Sequence, residues 1–191
     1  MKDLLVVYAN GLEEVEALTV VDFARRAGLE VLTASIHTEK EVRGANEISI
    51  LADALFDEVD VDDFRAIYLP GGLPGAENLR DKDELVMALQ RFAKEGKLVS
   101  AICAAPVALD RGELLTEGRF TCYPGYEENI KTKGRLDEIV VKEGNVITGM
   151  GPALAMDMAF AIIEELAGKE AKESVMEGTL YNRLVKAHQE G

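Results

Sequence analysis

Leu4 to Ala9 is an unbroken apolar run closed by Asn10-Gly11, the pattern of a strand buried on both faces and hence of a parallel sheet. From Leu12 to Ala27 the spacing turns helical, and Gly28 closes that segment as a C-terminal glycine does. Leu29 to Ile36 reads as a second strand and Glu47 to Ala52 as a further short strand or edge hairpin. Asp57 to Asp63 reads as an acidic connector with some helical character, and Ala66 to Leu69 as another buried strand. A helix is predicted over Asp83 to Lys94, then a strand over Lys97 to Ile102 and a helix from Ala104 to Gly112. Arg119 to Tyr123 reads as a strand, and Ile139 to Lys142 with Asn145 to Thr148 as a pair of short strands. Pro152 suits the first turn of a helix to Ala167 that is apolar nearly all round and so expected to be deeply buried. Lys169 to Gln189 supplies one or two polar capping helices.

Strands alternating with helices predict a three-layer α/β sandwich around a mostly parallel, doubly wound sheet. With 191 residues, no repeat and no linker-like tract, one domain over 1–191 is expected. The formal charge of −14 argues against polyphosphates and anionic membranes as partners. No apolar run is as long as a membrane span, and Leu4 to Ala9 is too short for the core of a signal peptide. Two cysteines are fewer than a small secreted scaffold carries, so a cytoplasmic location is expected.

The carboxyl edge of such a sheet is where open α/β proteins place their sites, and three features of the chain fall there. Cys103 lies on a strand-to-helix turn, where a helix N-terminus favours the thiolate. On that stretch alone, a reactive thiol and a small buried apolar cysteine are both open readings. Glu16 stands in the middle of the apolar stripe formed by Leu12, Val20, Phe23 and Ala27, and two readings are open: a rim carboxylate that reaches water, or a site carboxyl that desolvation lets hold a proton near neutrality. Glu13 and Glu14 lie away from that stripe and read as first-turn acids that suit the helix dipole. Gly71-Gly72 follows a middle strand and can turn backbone N–H groups toward a cavity. The backbone donors of Gly72 and Ala104 can then serve an oxyanion or the oxygens of an oxidised cysteine.

Other chemistries lack their residues. The glycines are not followed by the G-K-[ST] ending of a phosphate loop. A Cys–His–Asp triad needs a histidine, and only His37, in a polar loop, and His188, near the end, occur. Two cysteines and two histidines without ligand spacing argue against a zinc site, and no metal is expected. Cys122 reads as a small apolar residue of the core or site wall, with a Cys103–Cys122 disulfide left open.

In order along the chain come G-L-E-E-V-E-A at 11–17, R-R-A-G at 25–28, L-P-G-G at 69–72 and G-A-E-N-L at 75–79. A-I-C-A-A-P at 101–106 and G-P-A at 151–153 complete the set. With these motifs the chain resembles the ThiJ/PfpI superfamily, in the branch of the parkinsonism-associated deglycase and its bacterial relatives. The resemblance implies a flavodoxin-like, class I glutamine-amidotransferase-like fold and a homodimer with the site near the interface. It implies that Cys103 is an oxidation-sensitive nucleophile, Glu16 its protonated partner, and Gly72 and Ala104 the backbone donors of its pocket. Two positions depart from the pattern. Tyr123, in T-C-Y-P, stands where many relatives have histidine, which argues against a Cys–His dyad and peptidase activity. Asn46 stands where some relatives carry a basic residue at the pocket entrance. The expected activity is cofactor-free glyoxalase or deglycase chemistry on small reactive carbonyls. A redox sensor forming a cysteine sulfinic acid, a stress chaperone and, last, a peptidase or amidase are the alternatives.

Overall fold

Two-faced burial of the predicted strands is what organises the computed structural model, which describes residues 1–190, with side chains through Ala187. His188 lies outside the residues whose side chains are described. The first strand, β1 (Lys2–Tyr8), runs into helix α1 (Glu14–Arg26), then β2 (Val31–Ser35). β3 (Glu41–Arg43) and β4 (Ser49–Leu51) form a separate antiparallel pair. After β5 (Ala54–Leu55) come two short 3₁₀ turns in the acidic connector, and then β6 (Phe64–Leu69). Helices α2 (Gly75–Asp81) and α3 (Asp83–Lys94) precede β7 (Leu98–Ile102), and α4 (Pro106–Arg111) follows it. β8 (Val140–Glu143) and β9 (Val146–Gly149) lead into α5 (Ala155–Gly178) and α6 (Tyr181–Glu190).

The main sheet has seven strands in the order β5-β2-β1-β6-β7-β9-β8. All its pairs are parallel except the β8–β9 hairpin at the edge. Leu4 to Val7 of β1 and Ala66 to Leu69 of β6 are fully inaccessible, as central strands covered on both faces must be. α1 and α5 pack together on one face, with the Phe23 and Phe160 rings 5.5 Å apart, while α2, α3 and α4 contact one another on the other. The chain winds outward from β1 through β2 to β5 and then returns to β6 on the other side of β1. The winding direction therefore reverses between β1 and β6, the switch point at whose carboxyl ends open α/β sheets place their sites.

Five elements differ from the sequence reading. Residues 119–123 form no strand, because Thr121 N donates to the Thr148 side chain and Tyr123 N to the Cys103 carbonyl rather than to a ladder. Residues 75–81, for which the sequence reading names no element, form α2. β3 and the two-residue β5 were also unread, being too short to carry a period. The apolar α5 buries one broad side, with Met156, Glu164 and Glu165 exposed, and Gly168, at φ 85°, breaks it where the composition turns polar.

One buried carboxylate holds the long connection between α4 and β8. Asp110 accepts hydrogen bonds from Lys131 N at 2.9 Å, Thr132 N at 3.0 Å and the Thr132 hydroxyl at 2.7 Å. Burial alone raises its pKa, but these donors outweigh it and hold the carboxyl below its ordinary value. Its stabilisation is present above the unfolded carboxylate pKa and is lost as pH falls through the lowered folded value. Asp110→Ala leaves three donors without their acceptor and is expected to lower stability by about 1–3 kcal/mol in urea unfolding. The loss should shrink on acidification, as the wild-type carboxylate is titrated.

Candidate active site

The site is built around Gly71, whose two backbone polar groups both turn toward the β1–α1 connection. Gly71 N donates to Glu16 Oε2 at 2.8 Å, and its carbonyl accepts from Glu13 N at 2.9 Å. Glu13 caps α1 by accepting from Glu16 N at 2.7 Å. Tyr68, fully buried on β6, donates its hydroxyl to the Glu16 carbonyl at 3.1 Å. Loop and helix are thus stitched to the end of β6 before any side-chain chemistry is considered. No residue but glycine fits at position 71. A Cβ there would sit 2.6 Å from Cys103 Cβ, 2.7 Å from Glu16 Oε2 and 2.9 Å from the Ile102 carbonyl. Gly72 has φ 86° and equally close neighbours, with Glu13 N and the Gly11 carbonyl 2.4 Å from where a Cβ would lie.

Cys103 follows β7 with φ 62°, in the left-handed region that a residue with a Cβ enters only at a cost of about 1–3 kcal/mol. Three backbone hydrogen bonds hold the turn. Cys103 N donates to the Gly149 carbonyl at 2.9 Å, Tyr123 N to the Cys103 carbonyl at 2.9 Å, and Ala105 N to the Ile102 carbonyl at 2.9 Å. The result is a sharp strand-to-helix elbow that turns the side chain away from the sheet line. Cys103 keeps 8% of its surface exposed, against none for Glu16.

Glu16, Cys103, Gly72 and Ala104 meet at the sulfur. The Glu16 carboxyl and the Cys103 thiol are near enough to influence one another's ionisation, and the backbone N–H groups of Gly72 and Ala104 also act on Cys103. Glu16 Oε1 is buried with no hydrogen-bond partner. Burial raises the Glu16 pKa to about 7, opposed by the Gly71 and Cys103 hydrogen bonds and reinforced by the Glu13 charge. Burial also pushes the Cys103 thiol up to about 12, followed by the charge and hydrogen bond of Glu16, with Gly72 and Ala104 pulling it down.

That value runs against the lowered thiol pKa expected from a helix N-terminus. α4 has only six residues and starts at Pro106, so its dipole is weak, while desolvation and a neighbouring carboxylate act directly on the sulfur. The two groups titrate as a pair in which one negative charge is tolerated and a second is resisted. When Glu16 carries the proton its repulsion vanishes, and the O–H becomes a donor to the thiolate.

The other candidate residues are distributed around this centre. Tyr123 is half exposed and joined to the Cys103 backbone, and it packs over Gly151. Cys122 is fully buried, its thiol 3.6 Å from the Tyr123 carbonyl, and burial raises its pKa to about 11. Both cysteines are free thiols. Asn46 is held by Glu14, donating from N at 2.8 Å and Nδ2 at 2.9 Å to its carboxylate. Glu14 is therefore a buried anchor for the β3–β4 turn rather than a solvated first-turn acid. Its partners lie more than thirty residues away, beyond any local pattern. The neutral Nε2 of His37 accepts from Asn10 N at 2.8 Å. Among the described residues, no three His, Cys, Asp or Glu side chains group as metal ligands, and no helix is long and apolar enough to cross a membrane. Sequence reasoning missed the part of the Gly149–Leu154 segment in the site, although it follows a strand beside β7 at the same sheet edge.

The DJ-1/PfpI family model matches residues 2–165. The chain belongs to this family. It is 37% identical over 182 residues to Protein dj-1beta of Drosophila melanogaster, covering 94% of this chain and 97% of that one. The glutathione-independent glyoxalase DJR-1.2 of Caenorhabditis elegans is 33% identical over 175 residues, covering 91% of this chain and 92% of the relative. Among solved structures, oxidized Toxoplasma gondii DJ-1 superposes with a TM-score of 0.88 at 33% identity, covering 94% of this chain and 98% of that one. The fold of this DJ-1 family member is accordingly the flavodoxin-like, class I glutamine-amidotransferase-like α/β sandwich expected from its sequence.

The pair predicts a two-step alkylation profile. Iodoacetamide labelling of Cys103, followed by intact-mass spectrometry, should rise through about 7 and again at high pH. In Glu16→Gln the first step should vanish, leaving a single rise at high pH. Identical profiles for the two proteins would show that Glu16 does not share a proton with the thiol.

Proposed function

We propose that this protein is a cofactor-independent, cysteine-dependent enzyme of the glyoxalase or deglycase type, acting on small reactive carbonyls in the stress response. The observation that carries this reading is the meeting of Cys103 with the Glu16 carboxyl and with the N–H groups of Gly72 and Ala104. Gly71 supports the arrangement by holding Glu16 Oε2. A relative at 33% identity carries the name of a glutathione-independent glyoxalase, which supports the same chemistry.

In the proposed sequence the Cys103 thiolate adds to the aldehyde carbon of methylglyoxal. The former carbonyl oxygen, stabilised by backbone N–H donors, takes up a proton and a hemithioacetal forms. Glu16, now a carboxylate, removes the hydrogen on that carbon as a proton and returns it to the neighbouring ketone carbon, while the hemithioacetal hydroxyl proton passes to the ketone oxygen. The aldehyde carbon is thereby oxidised and the ketone carbon reduced, so no external oxidant enters. The resulting lactyl thioester is hydrolysed by water to lactate and the free thiol. In an early adduct of the same aldehyde on an amine, the C–S bond would form as the C–N bond breaks, the amine leaving with a proton and the same hemithioacetal remaining.

A second reading uses the same atoms. The donors around the sulfur also suit the two oxygens of a sulfinic acid, delivered by two successive peroxides that each leave as water. The oxidized state named for the Toxoplasma gondii relative favours considering it. We further propose a cytoplasmic homodimer. Val15 and Leu18 on α1, Ile48 and Leu51 around β4, and Met156 at the start of α5 are exposed apolar side chains that a second copy would cover.

Lactate formation from methylglyoxal, assayed without added thiol, should be lost in Cys103→Ser. In Glu16→Gln, kcat should fall by about 10²–10⁴-fold. Wild-type protein that makes no lactate, yet gains two oxygens on Cys103 alone with peroxide, would replace the enzyme reading with the sensor.

A further inference from the structure

Beside the site lies a recess of about 470 Å³ lined by Tyr123, Pro124, Met150, Pro152 and Leu154, with Gly151 and Ala153 between them. That volume lies within the range of small-molecule pockets. None of these side chains carries a charge, and the only polar side-chain atom among them is the Tyr123 hydroxyl.

The recess is tied to the nucleophile from both sides. One wall is the Tyr123-Pro124 segment, whose Tyr123 N donates to the Cys103 carbonyl at 2.9 Å. The other continues from Gly149, whose carbonyl accepts Cys103 N at 2.9 Å. Between the walls the Tyr123 ring lies over Gly151, with Cδ2 3.3 Å from where a Cβ would stand. The half-exposed Tyr123 ring and the partly exposed Leu154 leave apolar surface facing solvent at the mouth. An apolar substituent placed there is removed from water, whereas a hydrogen or a hydrated group gains little.

Resting on the carbonyl reading above, we propose that this recess is the specificity pocket for the substituent of an α-oxoaldehyde. The protein is thereby directed toward aldehydes with bulky apolar or aromatic substituents rather than toward methylglyoxal. The bonds made and broken are those already given. Phenylglyoxal plus water yields mandelate, with the aldehyde carbon oxidised, the ketone carbon reduced and nothing else consumed. The contribution is a matter of differential binding: a single methylene in an apolar pocket changes kcat/KM by about 10–200-fold, and a phenyl ring replaces a methyl group here.

The test compares kcat/KM for phenylglyoxal, read as mandelate, and methylglyoxal, read as lactate, in the protein as it assembles. The ratio is expected to favour phenylglyoxal by at least about tenfold. It should fall severalfold in Leu154→Ser and in Met150→Gln, two separate substitutions of the lining. Intrinsic reactivity of the two aldehydes is common to wild type and variants, so the change in ratio reports the pocket. A wild-type ratio near one, or a ratio unmoved by both variants, overturns the proposal while leaving the carbonyl reading intact. Activity on neither aldehyde overturns that reading itself. A Leu154→Ser protein that loses its self-association while keeping its ratio would assign the recess to a second copy of the chain, and overturns it too.

Discussion

Glu16 and Cys103 are brought together where water is scarce, and the cost of charging either group is what the surrounding structure answers to. Desolvation raises both pKa values, and the charge of one opposes ionisation of the other. The sulfur is made useful by sharing its proton with a carboxyl, not by being an isolated acidic thiol. Gly71 makes that sharing geometrically possible. Its N–H fixes one carboxylate oxygen at 2.8 Å, and its lack of a side chain lets Cys103 and Glu16 approach from either side.

The topology explains why these residues meet although they are far apart in sequence. β1 and β6 are neighbours in the sheet although α1, β2 and the β3–β5 region intervene in the chain. Glu16, in the first turn of α1, and Gly71, just past β6, therefore end up side by side, and Cys103 joins them from the end of the next strand, β7. The strained φ of Cys103 persists because its own N–H and carbonyl are both engaged, by Gly149 and Tyr123. The same two bonds carry the apolar walls of the neighbouring recess, so the elbow that presents the sulfur also sets what lies beside it.

Much of this was legible before any coordinates. An uninterrupted apolar run at Leu4 to Ala9, a glutamate inside an apolar helical stripe and a cysteine at a strand end each carry a local signal. What escaped was non-local or short. Glu14 reads as a surface acid because its partners, Asn46 and Ile48, come from a distant turn. Residues 119–123 have the composition of a strand, yet their donors go to Thr148 and Cys103 instead of a ladder. α2, with seven residues starting at Gly75, is too brief for a helical period to stand out. The direction of the thiol pKa escaped because it depends on burial and on the charge of a residue brought in by the fold.

The central claim is that the buried Glu16 carboxyl holds a proton near neutrality for use by the sulfur. Difference infrared spectroscopy across a pH series, with Glu16→Gln as the assignment control, reads that proton directly from the carbonyl stretch of a protonated carboxylic acid. The account predicts a carboxylic-acid band that titrates at about 7, is absent in Glu16→Gln and shifts when Cys103 is alkylated. A carboxylate band for Glu16 that persists well below neutrality, indifferent to the state of Cys103, would contradict it.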